Sequence, residues 1–192
     1  MPDPNPSAFE FLLSRRSRPA KTLTLPVPQK EQLMPLLTAA ARTPDHGKLE
    51  PWRFVVIQDA AMARLADLAE ARGKALGKSP EDITKGRNQF DQGNLAVAVI
   101  ESPKPSEKIP AVEQTYSAGA VCLALLNAAL ASGWGANWLS GWPSHDAAFG
   151  AEGLGLQAHE RIAGFIHIGT ESTPPPERPR PDMDAIVEWA DA

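Results

Sequence analysis

The chain has 192 residues, enough for one domain with a substantial core and too few for two comfortable ones. Its formal net charge of -4 offers no broad basic footprint for nucleic acid, and its single cysteine, Cys122, excludes an intrachain disulfide and a cysteine-built metal site. Met1 to Pro6 is polar, so no signal peptide is expected. The longest apolar stretch, Ala118 to Ala131, falls short of the roughly 20 residues that span a bilayer. A soluble, cytoplasmic protein organised as one domain over residues 1–192 is the expectation.

In chain order, Ser7 and Glu10 form a capping pair for a first helix carrying Phe9, Leu12, Leu13 and Arg16 on one face. That helix delivers Arg15, Arg16 and Ser17 at its end. A second helix is predicted over about 29–42, with Leu33, Leu36, Leu37 and Ala40 inward; Pro35 argues for a later start. Phe54 to Ile57 reads as a buried strand. Helical spacing resumes at Met62, Leu65, Leu68 and Ala69 and weakens around Gly73 and Gly77. Ser79 and Pro80 then read as N-cap and first position of a helix running toward Phe90.

Leu95 to Ile100 reads as a second buried strand, and Pro103, Pro105 and Pro110 mark a loop. Val112 to Ser132 is one long Ala/Leu/Val helix, apolar on nearly every side and so buried in a core or at a subunit interface. Trp134 to Leu139 and Arg161 to Ile168 are two further strands, with a short helix over Ser144 to Phe149 between them. A Pro-rich connection, Pro174 to Pro181, leads to a short helix over Asp182 to Trp189. Helices and strands mix without strict βαβ alternation, which defines an α+β class.

Several motifs carry no chemistry. Gly77-Lys78-Ser79 lacks the upstream glycine of a phosphate-binding P-loop, since Arg72 stands there. Gly150, Gly153 and Gly155 do not follow the dinucleotide fingerprint. His46, His145, His159 and His167 show no metal-ligand spacing, so no metal is expected. The arginines remain: Arg15, Arg16 and Arg18 with Ser17 near one end, Arg178 and Arg180 near the other. Guanidinium forks and a hydroxyl suit the oxygens of one phosphate gripped from both termini. The same residues are also compatible with helix C-terminal charges at one end and a solvated tail at the other. His46 is also readable as a loop residue satisfied by Asp45, and Trp52 and Trp138 as core anchors.

The ordered set of these groups with Arg42, Pro44-Asp45-His46, Glu50-Pro51-Trp52-Arg53-Phe54, the segment Gly133 to Gly141 and Gly164 to Thr170 resembles the nitroreductase family, specifically its small single-domain members. The resemblance spans about Phe9 to Trp189. It implies a mainly antiparallel sheet flanked by helices, and a homodimer with two FMN sites built from both chains. By the same resemblance, Arg15, Arg16, Ser17, Arg178 and Arg180 hold the flavin phosphate and ribityl chain. Arg42 and His46 stand at the flavin, and Trp138, Leu139 and Ser140 lie against its ring system. Two departures are visible: Lys48 where many relatives carry Asn, and Pro19 where many carry a basic residue. Lys48 is a candidate positive charge at the flavin's pyrimidine edge.

The implied activity is a two-step cycle in which NAD(P)H reduces the flavin and a nitroaromatic or quinone-type acceptor reoxidises it, with no protein acid, base or nucleophile as main catalyst. Two other classes stand beside it. One is an FMN-binding protein serving as flavin store or redox sensor with little turnover. The other is a non-flavin α+β protein whose arginines bind a different phosphate ligand.

Overall fold

The computed structural model describes residues 3–190. Helix α1, Pro6–Ser14, starts from Asn5, whose side chain accepts the Ala8 N–H at 3.1 Å, with Pro6 in the first position. The Ser7–Glu10 capping pair is therefore not used: Asn followed by Pro is the stronger start signal, two residues earlier. No residue of α1 is buried, and Phe9, Leu12 and Leu13 are each more than half exposed. In α2, Lys30–Ala40, a Gln29–Gln32 capping box fixes the start, and Pro35 lies inside the helix rather than ahead of it. Its ring is on the exposed side, so only one backbone hydrogen bond is forgone, at the Glu31 carbonyl.

The remaining elements follow the expected order: β2 (Trp52–Gln58), α3 (Ala60–Ala75), α4 (Pro80–Asp91), β3 (Leu95–Glu101), α5 (Ala111–Ala131), β4 (Gly135–Leu139) and β5 (Arg161–Glu171). Sequence patterning gave no hint of β1, Leu23–Thr24, which is too short to show a period. The helix expected over Ser144–Phe149 is instead a turn of 3₁₀ helix, Trp142–His145, followed by α6, Ala147–Leu154, which Asp146 caps by accepting the Phe149 N–H. The tail helix α7 is limited to Met183–Ile186.

β5 is the hub of the sheet. It pairs antiparallel with β3, with β4 and, at its last two residues, with β1, while β2 pairs antiparallel with β3. The architecture is the antiparallel α+β one expected. Alternation along the strands sorts the core into two layers. Leu95, Val97, Val99, Ile166 and Ile168 face α2 and α5; Ala96, Ala98, Ile100 and Phe165 face α3, with Phe90 of α4 and Phe149 of α6. Phe90 stacks on Phe149 at 5.5 Å and meets Phe165 edge-on at 5.3 Å.

Helix α5 corrects one expectation. With 21 residues and a mean hydropathy of 1.2, it is long and apolar enough to cross a bilayer. Its inner face, including Val121, Cys122, Leu125, Leu126 and Ala129, instead forms the core against the sheet. It is not buried all round: Val112, Tyr116, Ala120 and Leu123, at helical spacing, form an exposed stripe. Burial pushes the Cys122 thiol up to about 12, which leaves an inert thiol packed as a small hydrophobe.

His167 on β5 is buried, with neither ring nitrogen hydrogen-bonded, among Met62 and Gly93. Burial alone pushes it from its ordinary 6.5 down to about 4. The sign of its contribution follows: between those values the unfolded chain binds a proton that the folded chain refuses. The stability is therefore complete above pH 6.5, is lost as pH falls and levels off near pH 4. Between pH 7 and 5 this one group accounts for about 2 kcal/mol. Urea unfolding of the protein and of His167→Leu at both pH values measures it. The variant is expected to lose that share of the pH dependence, and equal slopes would remove the buried neutral histidine as its cause.

Candidate flavin-phosphate site

After α1 the chain leaves the helix at Arg15 and runs extended to Pro19. It is stitched to β4: the Arg18 N–H donates to the Ala136 carbonyl at 2.8 Å, and Asn137 Nδ2 donates to the Arg18 carbonyl at 2.7 Å. This fixes the register of Arg15, Arg16 and Ser17 against the sheet. The Pro-rich tail crosses the same place. Arg15, Arg16, Ser17, Arg178 and Arg180 together line a cleft of about 280 Å³, with Asn137 of β4 in its wall. Residues more than 160 positions apart in the sequence thus converge on one cavity.

The electrostatics of that cleft are unbalanced. Arg15 Nη2 donates to Ser17 Oγ at 3.3 Å, but Arg15 Nε and Arg16 Nη1 are buried without a partner. A buried guanidinium N–H lacking an acceptor is costly, and the natural remedy is an anion with several oxygens. Burial first, then the charges of Arg180 and Arg18, hold the Arg15 guanidinium below its ordinary value. Arg18 is itself offset by Glu171, 3.0 Å away though not aligned as a hydrogen bond. Glu177 is the nearest thing to a resident counter-ion: its Oε1 is ion-paired with Arg180 Nη2 at 2.8 Å and accepts the Arg178 N–H at 3.0 Å. Those contacts, the Arg178 N–H foremost, hold its carboxyl below the usual range.

The other expected site residues are placed differently. Trp138, Leu139 and Ser140 continue β4 away from the arginine cleft, with Trp138 opposite Ile166 and Leu139 opposite Phe165. The Trp138 indole packs against Gly164 of β5, where any Cβ would collide with its Nε1 edge. Leu139 instead lines a cleft of about 220 Å³ with Gln89 and Lys85 of α4. Ser140 Oγ is 3.3 Å from His145 Nε2.

Arg42 and His46 are at the opposite end of α5. Pro44, between them, accepts a hydrogen bond from Ser117 Oγ at 2.8 Å, and Ser117 Oγ accepts from Trp52 Nε1 at 3.1 Å, which makes Trp52 an anchor of this loop. The arginine clefts adjoin Leu130 and Gly133, at the helix's other end. From Ser117 to Leu130 is about 20 Å at about 1.5 Å per residue. One chain therefore gathers the five residues of the cationic cleft and leaves Arg42 and His46 apart from them.

His46 sits in a 3₁₀ turn, His46–Lys48, with unusual backbone: Gly47, Lys48 and Glu50 have φ of 75°, 55° and 49°. Gly47 is required twice over, by that φ and by the Ile109 side chain where a Cβ would stand. Strained loops of this kind cluster at functional sites. His46 Nδ1 is bonded to Glu113 Oε2 at 2.6 Å, not to Asp45, whose Oδ2 accepts the Glu50 N–H at 2.7 Å. Sequence reasoning did not single out Glu113, Asn137 or Glu177. The partners of Glu113 and Asn137 lie on other elements, where nothing local signals the pairing, whereas Glu177 pairs with its own neighbours Arg178 and Arg180.

Among the described residues no group of His, Cys, Asp and Glu is arranged to hold a metal ion. The fold is a single antiparallel sheet flanked by helices with a cationic cleft beside β4, and comparison with known proteins identifies its family. The model of the nitroreductase family matches residues 12–170, and the chain belongs to that family. It is 35% identical over 163 residues to "Putative NAD(P)H nitroreductase YdjA" of Escherichia coli K12, covering 85% of this chain and 87% of that one. In structure it is similar to a nitroreductase-like family protein from Bacillus cereus, with a TM-score of 0.81, 24% identity and full coverage of both chains. It is also similar to a Desulfovibrio desulfuricans nitroreductase structure in complex with FMN, with a TM-score of 0.71, 22% identity and coverage of 99% of this chain and 100% of the other.

Proposed function

We propose that the protein is a cytoplasmic, homodimeric FMN-dependent oxidoreductase that uses NAD(P)H to reduce nitroaromatic or quinone-type acceptors. The observation that carries this reading is the cleft where Arg15, Arg16, Ser17, Arg178 and Arg180 meet, with Arg15 Nε and Arg16 Nη1 buried and unpartnered. A phosphate monoester fits such a donor set: it supplies several acceptor oxygens and up to two negative charges to a cluster whose charges repel. Bound FMN would supply the redox chemistry, accepting a hydride from NAD(P)H and passing it to the acceptor.

The chain's residues bind and orient. Arg15 and Arg16 would meet phosphate oxygens with N–H groups that lack acceptors within the chain, Ser17 would add a hydroxyl, and Arg178 and Arg180 would close the cradle from the tail. Asn137 holds the Arg18 carbonyl and with it the register of the segment. Lys48, exposed on the strained turn beside His46, is the candidate charge for the flavin's pyrimidine edge. Arg42 and His46, distant from the cleft of their own chain, would reach the flavin only from the partner chain of a dimer. The exposed stripe of Val112, Tyr116, Ala120 and Leu123 and the apolar face of α1 support such pairing.

The test is spectroscopic. The purified protein should show flavin absorbance, lose it on anaerobic addition of NADH or NADPH, and regain it on addition of a quinone or nitroaromatic. Flavin that is bound but not reduced by either nucleotide would leave the flavin-store reading. A colourless protein that takes up no FMN would leave a different phosphate ligand.

A further inference from the structure

A cleft of about 510 Å³ lies at the start of β5, between the 3₁₀ turn Trp142–His145, α6 and the loop that leads into the strand. It shares no residue with the arginine clefts and stands at the other end of β5: Ile162 borders it, whereas Glu171 borders the arginines. The extended strand between those two residues separates the clefts by about 30 Å. The volume is that of a small-molecule site.

Leu156 and Ile162, with Ala147, Ala151 and Ala158, make its apolar wall. Its carboxylates and its guanidinium are matched within the chain. Asp146 accepts two hydrogen bonds from Arg72, at 2.7 and 3.2 Å, and Glu160 accepts two from Arg53, at 2.8 and 2.7 Å. The Arg161 fork closes on Glu101. Arg72 foremost holds the Asp146 carboxyl below its ordinary range, and Arg53 foremost brings Glu160 down to about 2, so both stay ionised and paired. His145 stands outside these pairs, with Nε2 3.3 Å from Ser140 Oγ. Ser144 is the exception to this saturation. It is 6% exposed, it lines the cleft, and its Oγ is buried with no hydrogen-bond partner. A buried hydroxyl left in that state is costly, and a ligand oxygen in the cleft would satisfy it.

The matched charges select the ligand. An anion would face two carboxylates whose arginines are already committed. A cation would give up its hydration to carboxylates that are already neutralised. A neutral molecule avoids both costs: its apolar body covers Leu156 and Ile162, and one oxygen meets the Ser144 hydroxyl. We propose that this cleft is a ligand site separate from the arginine cleft, for a small neutral molecule with a ring-sized apolar body and one carbonyl or hydroxyl oxygen held by Ser144 Oγ. The proposal is independent of the FMN-reductase reading, because none of the residues that carry it belongs to that site.

Three compounds of one shape test it: benzamide, benzoate and benzylammonium, neutral, anionic and cationic. Each is titrated into the ¹⁵N-labelled protein, and the backbone amides of Ser144, Ala147, Ala151 and Ile162 are followed by NMR. Benzamide should shift them with a Kd of about 1 mM, as its size allows, and the two ions should bind at least about tenfold more weakly. Ser144→Ala should lower benzamide affinity by about tenfold while the ligand-free protein melts no lower, since the hydroxyl it removes has no partner. Ala151→Trp, at an exposed position of α6, fills the cleft and should abolish the response. Saturation with FMN should leave all of these results unchanged. Equal binding of the three compounds would overturn the proposal, as would shifts that persist in Ala151→Trp or an affinity indifferent to Ser144→Ala. So would the absence of any shift at these amides up to about 10 mM benzamide.

Discussion

Arg15→Ala and Arg180→Ala should each lower FMN affinity by one to two decades, because each removes a charge-assisted contact of about 1.5–3 kcal/mol to the phosphate. The two variants differ in what else they do. Arg15 Nε is buried and unpartnered, and its charge is crowded by Arg180 and Arg18. Removing it relieves a cost that the empty cleft bears, so the flavin-free Arg15→Ala protein should melt no lower than the parent while its stabilisation by FMN falls. Arg180 has an exposed partner in Glu177, and its loss should leave the flavin-free protein nearly unchanged. FMN titration by flavin fluorescence, with melting followed with and without FMN, separates these effects. Unchanged affinity in both variants would refute the cradle. A collapse of the flavin-free fold in Arg15→Ala would make that arginine a structural residue instead.

The convergence behind that prediction was partly legible in the sequence. Arginine clusters at both ends suggested one anion, but only the hydrogen bonds from Arg18 to Ala136 and from Asn137 to Arg18 explain how the first cluster is held where the tail can reach it. Those are contacts between β4 and a segment well over 100 residues away, which no local pattern encodes. The same limit hid Glu113: a glutamate in the first turn of a helix reads as a dipole partner, and its second role depends on a loop from elsewhere in the chain. Periodicity served best where burial is one-sided or complete, as in β3, α3 and the inner face of α5. It served worst at ends, where Asn5 rather than Ser7 caps α1 and Pro35 is absorbed into α2. Trp138 was expected against the flavin ring. Gly164 makes room for its indole on β5, and the side chain stays more than a third exposed.

The exposed stripe on α5 leads to the second large effect. At micromolar protein, sedimentation should give about twice the chain mass, and FMN should make that species harder to dissociate. Val112, Tyr116 and Leu123 are each more than two-fifths exposed on one face of a helix whose opposite face is core, and Phe9, Leu12 and Leu13 of α1 are each more than half exposed. Apolar surface arranged in such continuous faces is what an obligate interface buries. The separation of Arg42 and His46 from the phosphate cradle by about 20 Å of α5 adds a functional reason, since a flavin touching both groups needs both chains. Association and cofactor binding are then linked: a ligand that binds only the dimer stabilises it by mass action. Leu123→Asp, which puts a charge into the centre of the stripe, should shift the protein to monomer at micromolar concentration and reduce FMN affinity in step, although Leu123 is remote from the arginine cleft of its own chain. The coupling distinguishes this from a simple interface defect: raising the concentration of the variant should recover dimer and flavin binding together. A Leu123→Asp monomer that retains stoichiometric FMN and full reductase activity would show that one chain suffices, and Arg42 and His46 would then have to be removed from the site.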